Sequence, residues 1–189
     1  KNITISTKAH EFSAIHIASN TLDIDEANFA TVNINGDNIL ITAPETGVYQ
    51  GIAIAAMSKG VANIEGNTTI RAQNAILARG DAQVNINKSS ENTVKMLGDI
   101  NFNYNEKTSG SPVNATIDVN LVGEESFWKG NTVVSWDDVN PGDGKLEVSN
   151  AKIALKDGAV WNATKITDNK ADVKGHYYTA LNDLVINGG

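Results

Sequence analysis

The sequence predicts an all-β fold, a single-stranded parallel β-helix (solenoid) of about seven coils. The hydrophobic residues, 41% of the chain, are mostly Ile, Val, Ala and Leu, while aromatic residues make up only 6%. Apolar and polar residues alternate over short stretches, as in strands with one buried face. These stretches also recur along the chain at offsets of 22 and 30, which is typical of stacked repeats.

The clearest repeat aligns residues 21–43 with residues 51–73 without gaps, at an offset of 30. A third copy follows at an offset of 22, where residues 75–88 match residues 53–66. Each copy holds three short strands, so it describes one coil of a solenoid whose loops vary in length. An antiparallel sandwich would also show alternation, but it would not place equivalent residues at a fixed offset.

Alternation within a copy predicts which side chains face the core. The residues expected to point inward in the first copy are Leu22, Ile24, Val32, Ile34, Leu40 and Thr42. A turn at residues 36–38 separates the last two strands of that copy. Asn33, Asn63 and Asn85 occupy equivalent outward positions. We expect their amides to stack on successive coils and to exchange hydrogen bonds.

Composition excludes several function classes. The formal net charge is -7, which opposes binding to nucleic acid or to an anionic membrane surface. No apolar run approaches the roughly 18 residues needed for a membrane-spanning helix. The chain has no Cys, so disulfides, thiolate metal sites and a Cys nucleophile are excluded. We expect no cofactor and no metal site.

The chain is interpreted as a single β-helix fragment over residues 1–189. Residues 1–102 contain the regular coils, residues 103–114 form a polar loop expected to project from the stack, and residues 115–189 contain coils of looser spacing. Residues 140–144 (NPGDG) predict a second projecting loop. Because the sequence opens directly on a strand-like segment without an initiating Met or a signal peptide, we expect it to be part of a longer protein.

Three segments in the C-terminal part of the chain, from position 115 onward, carry a family resemblance. They are residues 121–131 (LVGEESFWKGN), residues 153–164 (IALKDGAVWNAT) and residues 181–189 (LNDLVINGG). In order and spacing, these segments resemble the C-terminal stem of bacterial autotransporter passenger domains, which are pertactin-like right-handed parallel β-helices.

The resemblance implies export across the outer membrane and a place on the bacterial cell surface or outside the cell. It implies a structural or adhesive role, with a protein or glycan on a host or neighbouring cell as partner, and self-association as a further possibility. Membrane attachment would occur only through a C-terminal barrel that lies outside this sequence.

The tripeptide Arg79-Gly80-Asp81 is the candidate adhesion motif. In the repeat alignment it lies between two strands, where residues 57–59 lie in the preceding copy, so it should occupy an exposed corner. Exposure would allow recognition by an integrin-type receptor. The alternative is a chance turn, since Gly-Asp is ordinary turn chemistry.

No catalytic residues are expected. Asp23 and Asp25 would share a strand face about 7 Å apart, within the range of an inverting glycosidase pair. However, the aligned outward residues of the next coil are Ala53 and Ala55, whereas a catalytic site on a solenoid needs polar groups on neighbouring coils. The adjacent acids Glu124 and Glu125 would point to opposite faces of a strand. The alternative function is therefore a polysaccharide-binding or polysaccharide-degrading β-helix, and an enzyme is not expected.

Large aromatic side chains concentrate in the C-terminal half. They are Tyr104, Phe127, Trp128, Trp136, Trp161, Tyr177 and Tyr178. We expect them to shield the last coils of the stack. A carbohydrate-binding aromatic platform is the functional alternative. His10, His16 and His176 lack the spacing of metal ligands and are expected on the surface.

Overall fold

A computed structural model describes residues 1–8, 13–19, 29–46, 51–104, 115–136, 150–163 and 183–188. Within these ranges the protein is all-β, and its strands form one large parallel sheet that curls into a half-barrel. No helix long and apolar enough to cross a membrane occurs among the residues described. The strands are β1 (Asn2–Ser6), β2 (Ser13–Ala18), β3 (Ala30–Thr42), β4 (Ile52–Met57), β5 (Gly60–Arg79), β6 (Gln83–Ile86), β7 (Val94–Tyr104), β8 (Thr116–Val122), β9 (Phe127–Lys129), β10 (Thr132–Trp136), β11 (Asn150–Lys156), β12 (Val160–Asn162) and β13 (Asp183–Asn187).

The pairing arranges these strands in three columns, and every pairing is parallel. Column A consists of residues 30–35 of β3, residues 60–65 of β5, β6, β8, β11 and β13. Column B consists of β1, residues 38–42 of β3, residues 67–71 of β5, residues 94–97 of β7, β9 and β12. Column C consists of β2, β4, residues 74–79 of β5, residues 99–104 of β7 and β10. Over the described strands the chain visits the columns in the order A, B, C, and one passage through them is called a coil.

The paired residues confirm both repeat offsets of column A. Asn33 pairs with Asn63, as the offset of 30 predicts, and Asn63 pairs with Asn85, as the offset of 22 predicts. The core lies between the columns and is built from their inward-facing Ile, Val, Leu and Ala side chains. β-Branched residues dominate because they fit the pleated surface of a strand with little loss of side-chain freedom.

The gapless alignment is wrong beyond the turn at residues 36–38. Asn38 pairs with Asn67 and not with Thr68, because the register shifts by one position at the turn. The backbone amides of Asp37 and Asn38 both donate to the Lys1 carbonyl, at 2.9 and 3.3 Å, which is how a bulge absorbs an extra residue. Two consecutive side chains at the bulge, those of Asp37 and Asn38, are exposed, so the alternation changes phase.

The phase change reverses the predicted faces of the following strand segment. Ile39 and Ile41 are buried, whereas Leu40 is 37% exposed. The expectation that Leu40 and Thr42 face the core is therefore wrong. Ile34 is buried and Val32 is half-buried against the core, as the sequence predicts for that segment.

The predicted alignment of residues 51–54 with residues 21–24 does not give the observed strand pairing. Strand β4 pairs with β2, so that Ile54 lies beside Ile15. Leu22 and Ile24 lie outside the described residues. Residues 103 and 104, predicted as the start of a loop, belong to β7. The rest of that loop, residues 105–114, and the loop at residues 140–144 lie outside the described ranges, so their predicted projection is not described.

Candidate functional site

The Arg79-Gly80-Asp81 tripeptide lies at the corner that follows column C. Arg79 is the last residue of β5 and pairs with Met57 in the preceding coil. Gly80 and Asp81 then adopt the left-handed conformation, with φ of 58° and 51°. Two such residues in succession turn the chain sharply, and Gly and Asp tolerate this conformation better than most residues. All three residues are partly buried rather than fully exposed.

The preceding coil supports this corner through its backbone. The amide of Ser58 donates to the Arg79 carbonyl at 3.1 Å, and the amide of Lys59 donates to the Gly80 carbonyl at 2.9 Å. Ser58 and Lys59 are themselves left-handed, so equivalent corners stack on each other. The tripeptide is therefore held in one conformation, with its two charged side chains at the edge of the stack.

A ladder of asparagine side chains runs down the outer face of column A. Asn63 Nδ2 donates to Asn33 Oδ1 at 2.8 Å, and Asn85 Nδ2 donates to Asn63 Oδ1 at 2.8 Å. The predicted exchange of amide hydrogen bonds is thus confirmed. The row continues in register with Asp118 and Lys152. These amides have a structural role, because each satisfies the hydrogen-bonding groups of the equivalent amide on the neighbouring coil.

A groove of about 680 Å³ runs down the outer face of column B, across the strands. One wall carries Asn2, Asn38 and Asn67 at the start of their strand segments, and then Thr93 and Glu125, which precede β7 and β9. The other wall carries the outward residues two positions later, which are Thr4, Leu40, Thr69 and Lys95. Since strands in a sheet lie about 4.8 Å apart, five successive rungs give the groove a length of about 19 Å.

An ion pair crosses the lower end of this groove. Lys95 Nζ lies 2.9 Å from Glu125 Oε2, and both side chains are partly exposed to solvent. The hydrogen bond from Lys95, and secondly its positive charge, lower the pKa of Glu125 below the ordinary carboxyl value. The other residues that line the groove carry no charge, so it presents mainly amides and hydroxyls.

The wall asparagines are oriented by the strands on which they lie. Asn38 Nδ2 donates to Asn2 Oδ1 at 3.0 Å in the coil above. Asn67 Nδ2 donates to the Asp37 carbonyl at 3.0 Å, and Asn67 Oδ1 accepts from the Thr93 amide at 3.2 Å. These bonds orient the wall side chains at the protein surface. Sequence reasoning missed this wall because β1 pairs with β3 at an offset of 36 that the repeat alignment does not contain.

Among the aromatic residues expected to shield the last coils, Trp128 belongs to the core of column B and Trp161 packs against it, whereas Tyr177 and Tyr178 lie outside the described residues. Trp128 is fully buried, and its ring stacks on that of the half-buried Trp161, with centroids 5.0 Å apart and planes 6° from parallel. Each indole N–H donates to a glycine carbonyl of the preceding coil, Trp128 to Gly98 at 3.0 Å and Trp161 to Gly130 at 2.9 Å. Because the Trp128 face is inaccessible, these two rings do not form a carbohydrate-binding platform.

Glycine is required beneath the two indole rings, because the neighbouring strands and rings lie too close for a Cβ atom there. A Cβ on Gly130 would lie 2.1 Å from the Gly98 carbonyl oxygen and 2.8 Å from Trp128 Nε1, which is impossible without movement. The Trp-Lys-Gly order at residues 128–130 is the sequence signal that could have revealed this arrangement.

The candidate acidic residues do not assemble into a site where they are described. Glu124 and Glu125 lie in the turn before β9 and are both exposed, so the expectation that they point to opposite faces of a strand is wrong. Among the described residues, no group of three or more His, Asp or Glu side chains could hold a metal ion. Asp23, Asp25, His10 and His176 lie outside the described ranges, whereas His16 is exposed on β2, as expected.

Comparison with known proteins adds no family. No protein-family model, no curated protein sequence and no solved structure matches the chain.

Proposed function

We propose that this chain is a stretch of a right-handed single-stranded parallel β-helix of about seven coils, from a surface-displayed or secreted bacterial autotransporter passenger with a structural and adhesive role. The observation that carries the proposal is the three-column pairing, in which each strand lies beside the strand one coil earlier. The repeating order A, B, C is what a chain produces when it winds continuously in one direction. Parallel strands joined by crossovers are overwhelmingly right-handed.

The stem-like segments support the passenger assignment. Residues 121–128 and 155–161 both run from a buried Leu to a Trp, and their ends are in register, since Leu121 pairs with Leu155 and Trp128 pairs with Trp161. Ile186, in the third segment, pairs with Leu155. The three motifs of the resemblance therefore lie on successive coils, and this agrees with the passenger stem.

The corner at residues 79–81 supports the adhesive role. Neither Arg79 nor Asp81 forms an ion pair within the described part of the chain, so both charges are available to a receptor. The stacked backbone hydrogen bonds hold the tripeptide in place, which lowers the entropic cost of binding. A receptor that reads this motif would contact the two side chains from the edge of the stack.

The experiment is adhesion of cells to the immobilised chain, with Asp81→Glu as the test variant and Asp157→Glu as the matched control. Asp157 is another exposed aspartate in the left-handed conformation, with φ of 52°. We expect Asp81→Glu to abolish adhesion while Asp157→Glu leaves it unchanged. Adhesion of Asp81→Glu equal to that of the unsubstituted chain would reject the tripeptide as the adhesive element.

A further inference from the structure

We propose that the groove on the outer face of column B binds an extended, uncharged glycan that lies across the strands. This proposal goes beyond the adhesive corner at residues 79–81, because it concerns a second surface on the outer face of the sheet. The binding itself depends only on the geometry of the groove. The groove has a volume of about 680 Å³ and is open to solvent along the sheet face.

The chemistry of the walls selects the ligand. The Thr4, Thr69 and Thr93 hydroxyls of the walls both donate and accept hydrogen bonds, as do the hydroxyls of a sugar chain, whereas the wall amides are already hydrogen-bonded to one another or to the backbone. The Leu40 side chain, 37% exposed, offers an apolar patch in the middle of the groove for the C–H face of a sugar ring. An extended peptide is less well matched, since the wall residues lie on the outer face of the sheet and offer no free strand edge for backbone pairing.

The electrostatics select against charged glycans. The lysine of the walls, Lys95, is already paired with Glu125 at 2.9 Å. The chain as a whole carries a formal net charge of -7 and would repel sulfated or uronic-acid polymers. Neutral sugar polymers face neither obstacle.

The repeat of the groove matches a polymer rather than a single sugar. Each rung contributes one pair of outward residues, such as Asn2 with Thr4 or Asn67 with Thr69, and the rungs follow one another about every 4.8 Å. A ligand of repeating units can make similar contacts on successive rungs.

The test is titration of the full chain with neutral hexasaccharides, namely cello-, xylo-, malto- and chito-oligosaccharides, followed by NMR shift perturbation and calorimetry. We expect at least one of them to bind and to shift the amide signals of column B. Thr69→Val removes one wall hydroxyl at constant volume and should weaken binding about fivefold, the usual cost of a lost neutral hydrogen bond.

The matched control is Thr31→Val, which removes a hydroxyl from the outer face of column A on β3 and should leave affinity unchanged. The unfolding midpoint of each variant shows whether it folds like the parent chain. Three results would overturn the proposal: no binding of any neutral hexasaccharide at millimolar concentration, equal affinity for the two variants, or tighter binding of an anionic oligosaccharide. Loss of adhesion in Asp81→Glu with intact glycan binding would separate the groove from the corner motif.

Discussion

Replacing Trp128 with Phe tests how the coils of column B are held together. The substitution removes three ring atoms, two carbons and the N–H that donates to the Gly98 carbonyl at 3.0 Å. Two buried carbon groups contribute about 1.6 kcal/mol, at roughly 0.8 kcal/mol each. The hydrogen bond contributes about 1 kcal/mol more. We therefore expect Trp128→Phe to reduce the free energy of unfolding by about 2.5 kcal/mol.

Trp161→Phe is the matched control. Its indole makes the same kind of bond, to the Gly130 carbonyl at 2.9 Å, but the ring is only half-buried. The carbon contribution should fall by about half, giving a loss of about 1.5–2 kcal/mol.

Urea unfolding followed by far-ultraviolet circular dichroism measures these differences without relying on tryptophan fluorescence. Because long repeat arrays need not unfold in one step, the midpoints and slopes should be compared between variants before free energies are calculated. A loss below about 0.5 kcal/mol for Trp128→Phe, the size of an ordinary surface substitution, would refute the reasoning. So would a larger loss for Trp161→Phe than for Trp128→Phe, since burial is the basis of the expected order.

Three further predictions test the register, one corner and one ion pair. In this Cys-free chain, Cys at positions 63 and 85 should form a disulfide, because paired strands lie about 4.8 Å apart. Cys at positions 63 and 118 are two strands apart, about 9.6 Å, and should not form one. Non-reducing electrophoresis distinguishes the two variants, and the opposite outcome would contradict the strand order of column A. Asn87→Ala should cost about 3 kcal/mol in thermal or urea unfolding, since it leaves the Gly66 amide, now 2.9 Å from Asn87 Oδ1, without its acceptor and places Ala in the left-handed conformation. Asn87→Gly should recover about 1 kcal/mol of that loss, and equal stability of the two variants would exclude the conformational part. Lys95 lowers the pKa of Glu125 in the folded state, so the ion pair stabilises the fold above the ordinary carboxyl pKa and loses this effect as the pH falls through the lowered pKa. Glu125→Gln should therefore match the parent in acid and be less stable at neutral pH. A difference in stability that does not depend on pH would argue against the pair.

The repeat predicted column A from residues that are equivalent in both sequence and space. Asn33, Asn63 and Asn85 stand at the same outward position of three coils, so the pattern that revealed the repeat is also the pattern that forms the ladder. A recurring polar residue on an alternating strand therefore predicts a contact, since equivalent side chains of paired strands lie about 4.8 Å apart.

The faces of residues 38–42 could not be predicted in the same way. Their phase depends on a bulge at which one carbonyl, that of Lys1, accepts from two successive amides of the next coil, those of Asp37 and Asn38. That contact joins segments far apart in the chain, and no local pattern in either segment signals it. The same long-range pairing of β1 with β3 forms the groove. An error of one position at the bulge therefore assigns both Ile39 and Leu40 to the wrong face of the strand.

The two proposed binding surfaces differ in how they should respond to mutation, and this follows from how the stack is built. The corner at residues 79–81 takes all of its chemistry from one coil, so a single change at Asp81 should remove its function entirely. The groove takes one pair of side chains from each of several coils, so each change should weaken binding by a similar small factor, and changes on well-separated coils should multiply. A graded response to Thr4 and Thr69 variants, beside an all-or-none response to Asp81 variants, would therefore assign glycan binding to the column and receptor binding to the corner.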